Sequence, residues 1–453
     1  MDNLIKALTD ITGTAAGYAW GIPSIILLVG TGLYLTIRLR MIQIRGFKHA
    51  VQLISGRYDR AGDPGEISHF QALSAALSAT IGTGNIAGVA TAISFGGPGA
   101  VFWMWITAFV GMATKYTSCA LALKFRTIHP DGKTSGGPMY TLKNGLGMPG
   151  LGAAFAVFTL IASFGIGNMV QANSVVDGLS FIFPRATEFR LIIGIIIAVA
   201  VGLVSIGGIK HIAKVASHIV PFMAIAYCSS AILILALNID KIPAAFATII
   251  NHALNPWAAG GGALGAAVQY GVARGIFSNE SGLGSAPMAH AAARTREPVR
   301  EGLVAMLGPF IDTIVICTMT ALVIVVMDAW GDTKPADLNG AALSAYAFQQ
   351  GLGKSGAWIV GFGLVFFAYS TIIAWSYYGD RSAEYLFGEK AVMPYRFIYT
   401  LLVVAGAYVP LKLVWNFADI TNIFMAVPNL VSIILLAKLM KTLGDDYFKR
   451  LKT

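Results

Sequence analysis

The sequence predicts an all-α polytopic membrane protein of eleven spans. Ten of these fall into two five-span halves of opposite orientation, and one is added at the N-terminus. Three observations lead there. Of 453 residues, 56% are hydrophobic and only 12% charged, and the mean hydropathy is +0.69; a soluble domain carries roughly 25% charged residues. Apolar stretches of about 20 residues, enough to cross a hydrocarbon core of roughly 30 Å, recur along the whole chain. Two of those stretches are interrupted by polar, glycine-rich sequence: "ATIGTGNIAG" (79–88) and "GIFSNESGLGSAP" (275–287).

In order, the spans lie near 16–38, 70–95, 98–124, 149–180, 187–207, 212–237, 262–290, 300–327, 355–379, 394–410 and 413–440. The loops are mostly short, so 1–453 reads as a single membrane transport domain with no soluble module. A short amphipathic piece, "RGFKHAVQLISGRYDR" (45–60), is expected to lie along the cytoplasmic surface. The helix-prone "ADLNGAALSAYAFQQ" (336–350) is expected over the opposite face. The first 15 residues carry acids and no basic region before an apolar core, which argues against a cleavable signal peptide. Cys119, Cys228 and Cys317 lie far apart in apolar segments, a spacing that suits neither a disulfide nor a thiolate metal site.

The net charge of +10 raises nucleic acid as a partner. The positions of the charges answer this. With the N-terminus outside, 24 of the 32 basic residues fall on inner loops and the C-terminal tail, Lys115 among them. Seven fall outside and Arg274 lies within a span. That asymmetry sets the orientation, N-terminus outside and C-terminus cytoplasmic, and accounts for the positive charge without nucleic acid.

The two interruptions match. Gly82 and Gly84 have counterparts in Gly282 and Gly284. If each opens a five-span unit, the halves run 70–237 and 262–440; an odd number of spans per unit makes the second an inverted copy of the first. The segment 16–38 is then the extra helix. Irregular backbone at membrane depth is tolerated where it is buried in protein or lines a wet cavity. An unwound helix offers amides at one half-helix end, which suit a carboxylate, and carbonyls at the other, which suit a small hard cation. Gly84 and Gly88 also have the spacing of a helix-packing motif. The polarity of Asn85, Ser278, Asn279, Glu280 and Ser281 favours a ligand site over packing alone. No strand precedes the glycines, so a dinucleotide fold is excluded.

The residues also carry a resemblance. "QALSAALSATIGTGNIAGVATAI" (71–93), "SGGPMY" (135–140) and "GIFSNESGLGSAPMAHAAA" (275–293) resemble blocks of the alanine or glycine:cation symporter family, and the likeness extends over essentially the whole chain. That family is similar in architecture to LeuT-type transporters, with ten core helices in two inverted five-helix repeats, and imports alanine or glycine with sodium. The resemblance implies that Gly82, Thr83, Gly84 and Asn85 hold the substrate carboxylate. It implies that carbonyls around Phe277 and Ser278 receive the ammonium, with Phe277 as an aromatic lid. It also implies sodium between the Ser370 and Thr371 hydroxyls, the Phe367 carbonyl, and carbonyls near Ser78 and Ile81.

Other polar residues within spans invite roles. Helical spacing puts Asn168 and Gln171 on one face; with Asn173, they either bind substrate or join helices, since unsatisfied amides are costly there. Asn279, beside the second break, is the stronger substrate candidate. Glu280 caps freed amides, assists ion binding or carries a proton. Arg274 and Asp419 lie near the outer ends of their spans and either pair as a gate or act separately. Asp312 serves as a hydrogen-bond partner or a second cation position.

These features favour a sodium-coupled secondary importer of small neutral amino acids, resident in a prokaryotic plasma membrane, with no cofactor beyond the co-transported ion and no obligatory protein partner. A proton-coupled carrier of another small zwitterion is the alternative. A channel, which usually builds its pore from symmetric short chains, fits less well. No His-Glu-x-x-His, nucleophile–base pairing or paired Asp supports an enzyme, and no P-loop supports an ATP-driven pump.

Overall fold

A computed structural model describes residues 2–60, 62–254, 262–331, 335, 338–408 and 411–451. Lys334, Lys452, positions 336–337 of the helix-prone piece and positions 409–410 of the tenth expected span lie outside the described residues. Among the described residues the chain is helical nearly throughout, with one two-stranded antiparallel hairpin, Thr127–Ile128 with Thr134–Ser135. Among the described residues, seven helices are long and apolar enough to cross a membrane, or nine if two bent pairs each count once. The remaining expected spans are also helical. Gly262–Asn279 stops at the second break, and Val392–Gly406 has 15 residues.

The helix ends follow local chemistry. Ser68 opens His69–Thr80 with a reciprocal capping box to Gln71. Proline sits in the first turn of Ile22–Arg38, Pro149–Phe164 and Pro298–Ala305, where its missing N–H costs nothing.

Helices differ in what covers them. The apolar window of Gly99–Lys124 is 89% buried and that of Pro298–Val326 is 72% buried, whereas that of Pro184–Ser205 is only 22% buried. The first two therefore form the centre of the bundle, and the last turns Ile192, Ile195, Ile196 and Leu203 outward toward lipid. Gly99–Lys124 runs against Gly262–Asn279 almost backbone to backbone. A Cβ on Gly271 would stand 2.4 Å from the Ala100 carbonyl oxygen, and one on Gly275 would stand 2.6 Å from Thr107 Oγ1. This is close packing through small residues four apart.

Several expectations are corrected. The extra helix placed at 16–38 is Ile22–Arg38, preceded by a separate helix, Asp2–Ala19, at a 41° bend. Gly21 is extended there and Pro23 follows, so one helix cannot run through. The last span ends at Leu435, not 440, and Ala437–Arg450 is a separate polar helix. Ile242–Leu254 is a helix where only a connection was expected. The surface piece is two short helices, Ile42–Arg45 and Phe47–Ile54, and the opposite-face helix is Gly340–Leu352. Lys115, expected in an inner loop, lies inside Gly99–Lys124 and is buried.

The two broken helices meet at one end. Glu66 N donates to Ala292 O at 2.8 Å and Arg294 N to Ile67 O at 2.7 Å, so the chain entering the first runs beside the chain leaving the second. Arg126 fastens this junction by donating to the carbonyls of Pro64, Ala291, Ala293 and Thr295 at 2.7–2.8 Å. Each such bond contributes about 1 kcal/mol net. Arg126→Met is therefore expected to lower the thermal unfolding midpoint of the purified protein by several degrees. A melting curve that superimposes on the wild type would show that those carbonyls find other donors.

Candidate functional site

The first break begins where Ile81 leaves the helix. Its φ is −74° and its ψ 93°, which swings its carbonyl away from the helix axis. A π-helical turn, Gly84–Gly88, restarts the chain, and the two halves, His69–Thr80 and Gly84–Gly96, differ in direction by 54°. Neither Gly82 nor Gly84 takes a left-handed conformation; what they supply is room. A Cβ on Gly82 would meet Thr371 Oγ1 at 2.6 Å, and one on Gly84 would meet Ser278 Cα at 3.0 Å. Asn85, expected at the substrate, folds back instead: its Oδ1 accepts from Gly82 N at 2.8 Å.

The second break differs in backbone. Glu280, Gly282 and Gly284 all have positive φ (54°, 94° and 93°). For Glu280 that is an uncommon conformation, held here by its surroundings. Its carboxylate accepts from Ser285 Oγ at 2.6 Å and Trp375 Nε1 at 3.0 Å, so side chains rather than freed amides are its partners. The freed carbonyls find side-chain donors too. Lys115 Nζ donates to Asn279 O at 2.9 Å, and Asn429 Nδ2 to Gly282 O at 2.9 Å. Lys115 was expected in an inner loop, and nothing in the sequence pointed to its reach into the second break.

Asp312 joins the breaks. Asn85 Nδ2 donates to its Oδ1 at 2.7 Å; Ser278 Oγ and Thr313 Oγ1 donate to its Oδ2, each at 2.8 Å. Cys317 Sγ lies 3.3 Å from both Asn85 Nδ2 and Ser278 Oγ. Asn279 Nδ2 donates to Thr313 Oγ1 at 3.1 Å, while its Oδ1 accepts from Ser281 N at 3.0 Å. The side chains of Asn85, Ser278 and Asn279 thus hold the breaks in shape.

A small cavity lies beside this junction. Gly82, Thr83, Gly84, Gln171, Phe277 and Glu280 line it, with Ala79, Thr80, Ile166, Thr371 and Trp375. Every lining residue is buried. The volume open to the centre of a water-sized sphere is about 10 Å³, close to what one water needs. Gln171 Nε2 donates to Thr83 Oγ1 at 3.2 Å and to Ile166 O at 3.1 Å, and its buried Oε1 has no donor among the described residues. Asn168 and Asn173 join helices, donating to the carbonyls of Tyr399 and Gly406. Asn168 and Gln171 therefore part in role, Asn168 tying its helix to Tyr399 while Gln171 reaches Thr83 of the first break.

Four of the five expected ion ligands, Ser78, Phe367, Ser370 and Thr371, gather beside the cavity. Ser78 Oγ donates to Ser370 O at 2.7 Å and Ser370 Oγ to Phe367 O at 2.9 Å. Thr371 Oγ1 donates to Phe367 O at 3.0 Å. Each Ser370 and Thr371 hydroxyl therefore bonds its own helix, as such residues commonly do. Thr371 also lines the cavity, so the oxygen cluster and the cavity adjoin.

Two contact clusters flank the breaks. On one side Phe277 stacks on Trp415 at 4.8 Å, and Arg274 lies over both rings while binding Asp419 at 2.9 Å. On the other, Glu301 binds His290 at 2.5 Å and also His69, which fixes the ends of the two broken helices to one carboxylate.

Comparison with known proteins gives this geometry a family. The description "Sodium:alanine symporter family" matches residues 5–453. The chain belongs to the sodium:alanine symporter family. It is a transporter and not an enzyme. It is 49% identical over 432 residues to the sodium/alanine symporter AgcS of Methanococcus maripaludis, covering 94% of each chain. It is 38% identical to the probable sodium/glutamine symporter GlnT of Bacillus subtilis, covering 99% of this chain and 92% of that one. Among solved structures, MhsT in complex with L-phenylalanine superimposes with a TM-score of 0.56 over 84% of this chain and 99% of its own, at 12% identity. The family member thus shares the fold of MhsT and spans the membrane several times.

The contact of Gly84 with Ser278 leads to a prediction. Gly84→Leu is expected to force the two breaks apart and abolish alanine binding, with an unchanged elution profile. Titration calorimetry with L-alanine on the purified variant checks this; wild-type affinity would mean that the close approach has no part in binding.

Proposed function

We propose that this protein is a sodium-coupled importer of small neutral amino acids, alanine and glycine, working by alternating access in a prokaryotic plasma membrane. The observation that carries the reading is the pair of facing helix breaks bordering one buried cavity, with a cluster of hydroxyl and carbonyl oxygens next to it. In this reading eleven spans comprise two inverted five-helix repeats and the extra N-terminal helix, with the N-terminus outside and the C-terminus in the cytoplasm.

The substrate carboxylate meets the half-helix amides around Gly82, Thr83 and Gly84, where the dipole favours negative charge. Its ammonium meets the carbonyls of the last turn around Phe277 and Ser278, with the unpartnered Gln171 Oε1 as a further acceptor. Asn85 and Asn279 act by holding the backbone in position. Sodium is held by the Ser370 and Thr371 hydroxyls and the carbonyls of Ser78, Ile81 and Phe367, an all-oxygen set suited to a hard monovalent cation. Sodium is a co-transported ligand, and no other cofactor is needed.

The closed cavity is too small for an amino acid, so entry requires the Phe277–Trp415 pair to withdraw. Parting of Arg274 from Asp419 opens the outer side, and release of the His69–Glu301–His290 cluster opens the inner side. Sodium binding next to the first break biases that movement, because an ion that binds one conformation better shifts the population toward it.

Two outcomes test this. Ser370→Ala with Thr371→Val is expected to raise the half-saturating sodium concentration and to weaken alanine binding about 5- to 100-fold at low sodium, since coupling is reciprocal. High sodium should restore part of the loss. Binding measured against sodium at two pH values decides between couplings: a wild type indifferent to sodium and steeply dependent on pH would establish a proton carrier instead. In competition for alanine uptake, glycine and alanine are expected to inhibit and leucine and phenylalanine to fail. One methylene changes affinity by only about 1–3 kcal/mol, so exclusion of the larger side chains must come from the walls formed by Phe277, Trp375 and Ile166. Transport of leucine would remove the steric argument.

A further inference from the structure

A second cavity lies at the C-terminal end of Ile22–Arg38, far from the breaks in sequence. Tyr34, Ile37, Arg38, Arg40 and Lys441 line a groove of about 350 Å³ between the end of Ile22–Arg38 and the polar helix Ala437–Arg450. Three of its five residues are cations. Two nearby cations are matched: Arg45, on the short helix Ile42–Arg45, reaches Asp445 at 3.9 Å and lies over Phe448, and Arg450 binds Glu297 and Asp446. Among the described residues, none of Arg38, Arg40 and Lys441 has a carboxylate within 4.0 Å. Arg38 lies over the Tyr34 ring at 5.6 Å, and its Nε is buried without an acceptor. Positive charge is thus left unmatched at this groove.

The groove also opens onto an apolar stripe. Ile26, Leu33 and Ile37 are 65%, 51% and 69% exposed, and their spacing puts them on one face of the helix Ile22–Arg38. A soluble anion would use the cations and leave that stripe unused. A lipid with a charged head and an acyl chain uses both, and basic pockets between membrane helices are suited to anionic headgroups.

We propose that this groove binds an anionic glycerophospholipid, its phosphate against Arg38, Arg40 and Lys441 and an acyl chain along Ile26, Leu33 and Ile37. The proposal is independent of the transported substrate.

Native mass spectrometry of the full-length, detergent-purified protein tests it, with phosphatidylglycerol, phosphatidylcholine and inorganic phosphate as probes. The wild type is expected to retain phosphatidylglycerol in preference to phosphatidylcholine. The triple variant Arg38→Gln, Arg40→Gln, Lys441→Gln should weaken phosphatidylglycerol by about five-fold for each charge removed. Arg40→Gln alone, on an exposed side chain, should show a single such step and guards against misfolding of the triple variant. Lys438→Gln with Lys449→Gln, exposed positions of the same polar helix that do not line the groove, should bind like wild type. Equal retention of the two lipids, or the same loss in the Lys438 and Lys449 control, would overturn the proposal. So would full displacement of lipid by millimolar inorganic phosphate, which would mark the groove as a site for free anions.

Discussion

At the middle of the bundle, the Asp312 carboxylate takes donors from two helices that have each lost part of their own hydrogen bonding: Asn85 from the first break, Ser278 from the second. A buried carboxylate needs such donors, and an unwound segment in a membrane needs partners outside its own ladder. The two requirements meet at one residue, so neither break has a geometry independent of the other. The contact of Gly84 with Ser278 Cα is the steric side of this constraint. Lys115 extends it from a third helix by donating to the last carbonyl before the second break.

The rest of the site is arranged around that junction. Gly82 lies against Thr371, part of the cluster of hydroxyl and carbonyl oxygens on Lys354–Phe387, and Thr83 bonds to Gln171 on the helix after the π turn. A displacement of the first break is thereby felt at once by the cavity wall and by the oxygens beside it. Coupling between an ion and an organic ligand needs such a shared element, whose position both can bias. The glycines of the first break serve approach and those of the second serve backbone turn, so the two Gly-x-Gly pairs do different physical jobs despite matching in sequence.

Much of the fold was legible because hydropathy and the two polar interruptions act over long stretches. The breaks fall where Gly82 and Gly282 lie, and Arg274 does meet Asp419. What escaped depends on direction or on a few dihedrals. Lys115 sits a few turns from a helix end, and composition does not say whether such a side chain points to water or to a carbonyl. The bend at Gly21 and the stop at Leu436 are set by single residues inside sequence that otherwise continues apolar or helical. Helical spacing put Asn168 and Gln171 together and left open whether each binds substrate or joins helices; only the contacts separate them, Asn168 with Tyr399 and Gln171 with Thr83. Asn85 was legible as part of the first break but not as the residue that closes its own turn.

Cys317 gives the junction a chemical consequence. Its thiol is buried, within 3.3 Å of both Asn85 and Ser278, and Cys119 is buried as well, while Cys228 is partly exposed. A sulfur enclosed in this way reacts with a water-soluble alkylating reagent only during intervals when the two breaks stand apart. When reclosing is faster than the chemistry, the modification rate reports the population of the open form, as amide exchange does for local unfolding. With Cys228 replaced, the native chain thus carries a built-in clock for its own opening, placed by the hydrogen bonds that hold it shut.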